Sequence, residues 1–194
     1  MLDDLDHAYR LSYLIGEIVR NDVWAESEMR SVWRALHDAH LPVGEMQRNF
    51  GYLVKQVRTA LRLPSIPHDF QVLALEVIEA THAVHQMRNT VAHDLLIQDH
   101  FDSNLVRSMR TSAPPRPFAE LQAISADLMT MAWRLRGIWV IAPSWIGGAS
   151  EDDGNTRESL LSWTRVAMGH IRDDVPNAIL GTPGDAPEPP GGYR

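Results

Sequence analysis

The chain contains no cysteine. That excludes disulfides, thiolate zinc centres and a cysteine nucleophile, and it gives no sign of an oxidising compartment. Lysine is nearly absent: Lys55 is the single lysine among 18 basic residues. Such a skew toward arginine is the ordinary mark of a GC-rich genome. Positive charge is in deficit overall, with a formal net charge of −7. A broad cationic surface for nucleic acid is therefore not expected, although an arginine-lined cleft stays compatible. No stretch approaches 18 uninterrupted apolar residues, which argues against a membrane span. The first twenty residues, MLDDLDHAYRLSYLIGEIVR, carry acids before any base and no long apolar run, unlike a secretory leader. A cytoplasmic location is the expectation. The sequence also lacks a glycine-rich phosphate loop, an internal repeat, and any strand-like alternation beyond four residues.

What is present is helical periodicity. Hydrophobic residues make up 44% of 194 residues, enough for a core of ordinary size. Leu5, Tyr9, Tyr13, Ile15 and Val19 suggest a helix over 2–23, and Met29, Val32, Trp33 and Leu36 a second over 25–39. Pro42 interrupts, and a third helix is expected over 43–63, ended by Pro64 and Pro67. A long fourth covers 69–91, a fifth 118–140 ahead of Pro143, and a short sixth 156–171. Between the fourth and fifth, 94–117 reads as an irregular polar loop holding Arg107, Arg110 and Arg116, with Pro114 and Pro115. From 173 onward the chain is Pro/Gly-rich, the composition of a disordered segment. The expectation is an all-α, up-and-down helical bundle, one domain over 1–171 with a tail at 172–194. Trp33, Trp133 and Trp163 sit at core spacing, whereas Trp139 and Trp145 flank Pro143 and are expected nearer the surface.

The fourth helix carries the chemistry. At about 100° per residue, Leu73, Val77, Ala80, Val84, Met87 and Val91 share one face, read as the core side. His82, His85, Gln86, Asn89 and His93 share the opposite, polar stripe. Asn89 and His93 are i,i+4 neighbours, and Arg88 sits at the boundary with a side chain long enough to swing toward them. Arginine, asparagine and histidine within six residues suit a phosphodiester. The guanidinium offsets charge developing on phosphorane oxygens, and a histidine, which titrates near neutrality, moves the proton. With an RNA 2′-hydroxyl as nucleophile no metal is required, and no cofactor is expected. His85, Arg107 and Arg110 are expected to extend the cleft as substrate-binding groups. His82 and His85 are spaced to chelate, but His93 lies about 16 Å along the axis from His82, so a metal set on this helix is the weaker reading.

The stretch Arg88-Asn89-Thr90-Val91-Ala92-His93 resembles the R-x4-6-H signature of the HEPN superfamily in its R-N-x-x-x-H form. The resemblance is local to the motif helix and the helix count. It implies a small helical bundle acting as a homodimer, with the motifs of two protomers forming one composite cleft. It implies a metal-independent endoribonuclease, of toxin or defence type, with Arg88, Asn89 and His93 catalytic, RNA as substrate and an antitoxin protein as a further partner. The alternative is an inactive HEPN-like dimer that binds RNA, a nucleotide or a protein. One HEPN subfamily is adenylylated on a tyrosine two residues after the motif histidine. Here that position is Leu95, so control of that kind is not expected.

Overall fold

The computed structural model describes residues 7–94, 96–99, 102, 104–147 and 157–169. Five helices dominate them: α1 (His7–Asp38), α2 (Phe50–Leu61), α3 (His68–His93), α4 (Phe118–Ile146) and α5 (Arg157–Ala167). The class is all-α, as the periodicity suggests. A small antiparallel sheet, β1 (Leu96–Gln98), β2 (Leu105–Ser108) and β3 (Arg116–Pro117), is inserted between α3 and α4. The tail expected at 172–194 lies outside the described residues.

α1 is one helix of 32 residues, not two. No glycine or proline stands between residues 17 and 41, so nothing in the backbone breaks it. The apparent gap in its apolar stripe is the pair Asn21 and Asp22, which are buried despite being polar. α1 ends in a left-handed turn: His40 takes φ 61°, with Leu41 N–H donating to Leu36 O and His40 N–H to His37 O. This is the paired closure of a Schellman cap. α2 starts at Phe50, seven residues later than expected, because Asn49 caps it by accepting from the Tyr52 N–H at 3.2 Å. The connection before it folds back along α1, where Arg30 donates to the carbonyls of Gln47 and Arg48. α2 therefore begins beside the middle of α1, and α2 to α5 alternate in direction. α4 passes through Pro143 to Ile146. The three residues beyond the proline bury Trp145, which stacks on Phe70 at 5.7 Å and donates Nε1–H to Thr164 Oγ1 at 2.7 Å.

Two apolar clusters fill the bundle. The larger joins the later half of α1 (Ala25, Met29, Val32, Leu36), α2, the early half of α3 (Phe70, Ala74, Val77, Ile78), the later half of α4, and α5. The smaller joins Leu11, Leu14 and Ile18 of α1, Val91 of α3, Val106 of β2, and Phe118, Leu121, Ile124 and Leu128 of α4. Residues expected to be an irregular loop supply Val106 to that second cluster. Their strands of two to four residues are too short to show alternation.

The tryptophans divide differently from their spacing. Trp33 and Trp145 are buried, whereas Trp133 and Trp163 are 54% and 58% exposed. Trp133 nevertheless meets Trp24 edge-on at 5.1 Å and lies under Arg136.

Candidate functional site

Between the two apolar clusters lies a polar layer, and the motif residues belong to it. Its centre is Asp22 of α1, whose side chain is 2% exposed. Nδ1 of His85 on α3 is 2.7 Å from Asp22 Oδ1. Nε of Arg88, one turn further along α3, is 2.9 Å from Asp22 Oδ2. That N–H is not aimed at the oxygen, so charge holds the pair without an aligned hydrogen bond. Arg88 Nη1–H donates to Asn89 Oδ1 at 3.0 Å. The Phe50 ring covers His85 with centroids 4.2 Å apart. On the other side of α1, Asn21 Nδ2 donates to the Ser125 carbonyl and hydroxyl of α4 at 3.1 and 3.0 Å. Thr81, fully buried on α3, donates its hydroxyl to Val77 O. A buried carboxylate is tolerated only when paired, and two cationic or donating side chains meet that requirement here.

This corrects the facing of α3. Its buried residues are Phe70, Ala74, Val77, Ile78, Thr81 and Val91, and Met87, placed on the core side by periodicity, is 52% exposed. The inward meridian is rotated by roughly 60° from the apolar stripe, at about 100° per residue. Along that meridian the apolar residues give way after Ile78 to Thr81, His85 and Arg88. His85 and Arg88 therefore point into the bundle, with side chains 12% and 19% exposed. His93, the last residue of α3, is exposed.

The six expected site residues thus fall into two groups. His85 and Arg88 are joined through Asp22, and Asn89 is joined to them through Arg88. His93, Arg107 and Arg110 stand at the α3 end and the sheet. Arg110 Nη1–H donates to His93 O at 2.5 Å, placing a cation on the C-terminal carbonyls of α3, where the helix dipole favours it. Arg107 pairs with Asp99 through Nε and Nη2 at 2.9 and 2.7 Å, and Asp99 is buried. Ser108 Oγ–H donates to Asp94 Oδ1 at 2.5 Å and accepts the N–H groups of Arg110 and Thr111. These contacts fix the sheet against the motif end of α3. Among the described residues, no hydrogen bond or ion pair links the His93 side chain to Arg88 or Asn89.

Asp22 and Glu26 escaped the sequence reading. Asp22, Glu26 and His85 each bring one ligand-type atom within 4.8 Å of the others. Asp22 is already engaged by His85 and Arg88, and Glu26 faces Arg30 at 3.4 Å. The guanidinium beside Asp22 would repel a cation, so the cluster is an ion-paired network to which we assign no metal. No protein-family model matches this chain, nor does any curated protein or solved structure.

Proposed function

We propose that this chain is a metal-independent endoribonuclease of HEPN type, cutting RNA by attack of its own 2′-hydroxyl. The observation that carries the reading is the fixing of Arg88, held at Nε by Asp22 and at Nη1 by Asn89. A guanidinium set in place before the reaction stabilises a developing phosphorane without the cost of organising it in the transition state. His93, exposed at the end of the same helix, moves the proton. Arg88 and His93 are about 140° and 7.5 Å apart on one helix, so one phosphate is served by an Arg88 and a His93 from two copies of the chain. A homodimer is accordingly part of the proposal, as are a toxin or defence role and control by an antitoxin.

The test is cleavage of mixed cellular RNA in EDTA by wild type and by His93→Ala. Cutting by wild type alone, leaving 2′,3′-cyclic phosphate and 5′-hydroxyl ends, is the expected result. Absence of cutting by either protein, in EDTA or with Mg²⁺, overturns it. A second reading, a binding module without turnover, is favoured by one feature: Asp22 already neutralises Arg88 in a chain of net charge −7. Retention of an RNA oligonucleotide by a wild type that leaves it intact would select that reading.

A further inference from the structure

We infer that a cavity adjoining His93 holds a guanine base read by Asp127, so that RNA is cut on the 3′ side of guanosine; its place in a cleavage reaction rests on the ribonuclease reading above. The cavity lies between α3, β3 and α4 and measures about 320 Å³, within the range of small-ligand sites. α3 contributes Met87 and Thr90, and α4 contributes Ala123 and Ile124. Thr90 precedes His93 by three residues, about 4.5 Å along the axis and about 60° round the helix. The cavity thus adjoins the proton-moving histidine within a single copy of the chain. A nucleobase is a flat apolar plate with a polar edge. Met87 is 52% exposed and unused by either apolar cluster, and a thioether packs well on a ring. Ala123 and Ile124 supply further apolar surface.

The charged groups of the cavity select among the bases. Asp127 lines it, is exposed, and has no hydrogen bond or ion pair among the described residues. A carboxylate only accepts hydrogen bonds, and guanine offers two adjacent donors, N1–H and N2–H, to its two oxygens. Arg116 also lines the cavity, with Nη1 3.5 Å from Glu120 Oε1. That long pair engages one of five guanidinium donors and leaves others for O6 and N7, the acceptors of guanine that arginine matches best. Glu120 precedes Asp127 by seven residues, about 10.5 Å along α4. Arg116 and Asp127 therefore lie toward opposite ends of the cavity, a span that one base fills with a hydrogen bond at either edge. Adenine carries a donor where guanine has O6, and a lone pair at N1. It would meet Arg116 donor to donor and Asp127 acceptor to acceptor. Cytosine and uracil are smaller and lack the adjacent pair of donors.

The experiment titrates the full chain with guanosine 3′-monophosphate by calorimetry, beside the inosine, adenosine and cytidine 3′-monophosphates. Guanosine should bind roughly tenfold or more tightly than inosine, which lacks only the 2-amino donor. Asp127→Asn should weaken guanosine binding by roughly ten- to a hundredfold and leave the weaker binding of adenosine as it was. Its melting curve should match wild type, because the side chain is exposed. In parallel, wild-type cleavage products should end in guanosine, and Asp127→Asn should lose that preference. Equal affinity for the four nucleotides overturns the inference, and so does an Asp127→Asn variant that keeps wild-type selectivity. A wild type that cuts RNA without regard to base leaves the preceding reading standing and removes this one. A wild type that selects guanosine 3′-monophosphate through Asp127 but cuts nothing removes the ribonuclease reading and keeps the guanine site.

Discussion

At the scale of single residues, Asp22 governs the layer. It is buried, and it engages His85 and Arg88 at once. Removing one partner of a buried ion pair leaves the other desolvated and uncompensated, which costs roughly 3–5 kcal/mol. Asp22→Ala should therefore lower the unfolding free energy by about that amount, measured by urea denaturation. A loss under about 1 kcal/mol would mean that Arg88 and His85 reach solvent on their own. Asp22 was not legible in the sequence because a single acid on an amphipathic helix usually faces water. A signal was nonetheless there. The apolar stripe lapses at Asn21-Asp22 in α1 and again from Thr81 to Arg88 in α3, and the lapses are partners. Arg88, Asn89 and His93 stood out because arginine, asparagine and histidine at that spacing carry chemistry whatever the packing. Which way each of them faces depends on α1, which no local pattern reports.

At the scale of elements, two positions make opposite predictions. His40 adopts a left-handed conformation that glycine takes without strain. His40→Gly removes about 1–2 kcal/mol of left-handed strain and gives back about 0.5–1 kcal/mol in unfolded-state entropy, so it should raise stability by up to about 1 kcal/mol, visible as a shift of the urea midpoint. A decrease would mean that the imidazole has a packing role. Gly137 faces the last turn of α5, where a built Cβ would meet Ala167 O at 2.2 Å. Gly137→Ala should push α5 off α4 and cost roughly 1–3 kcal/mol. The sign of that failure should be local: Trp145 loses its bond to Thr164 and its fluorescence shifts before the rest of the bundle unfolds. An unchanged melting curve and spectrum would show that α5 slides without penalty. The long helices were legible because three or more turns of apolar residues outweigh any single exception. Their ends were less so. The left-handed turn at His40 and the cap at Asn49 depend on one or two residues each, and α4 continues past Pro143 because Trp145 gains a partner in α5.

At the scale of the whole molecule, the polar layer separates two apolar clusters that α1, α3 and α4 all cross. Buried ion-pair networks are often replaceable as a unit by apolar groups of similar volume, whereas removing one member is costly. The triple replacement Asp22→Leu, His85→Leu and Arg88→Leu should therefore be less destabilised than Asp22→Leu alone, measured by thermal unfolding. If the triple variant is the less stable of the two, the three side chains act independently and the network does not behave as one unit. The class of fold was readable because helices of this length leave few other packings. The two-cluster interior was not, since it appears only once three helices are laid side by side. The layer has one more consequence. Apolar side chains accept many neighbours, so two greasy helices can slip past each other by a turn, about 5.4 Å, at modest cost. Such a slip in α3 would carry His85 and Arg88 away and strand Asp22 against hydrocarbon. The buried carboxylate thus acts as a ratchet tooth between α1 and α3, permitting a single alignment of the motif helix along the bundle.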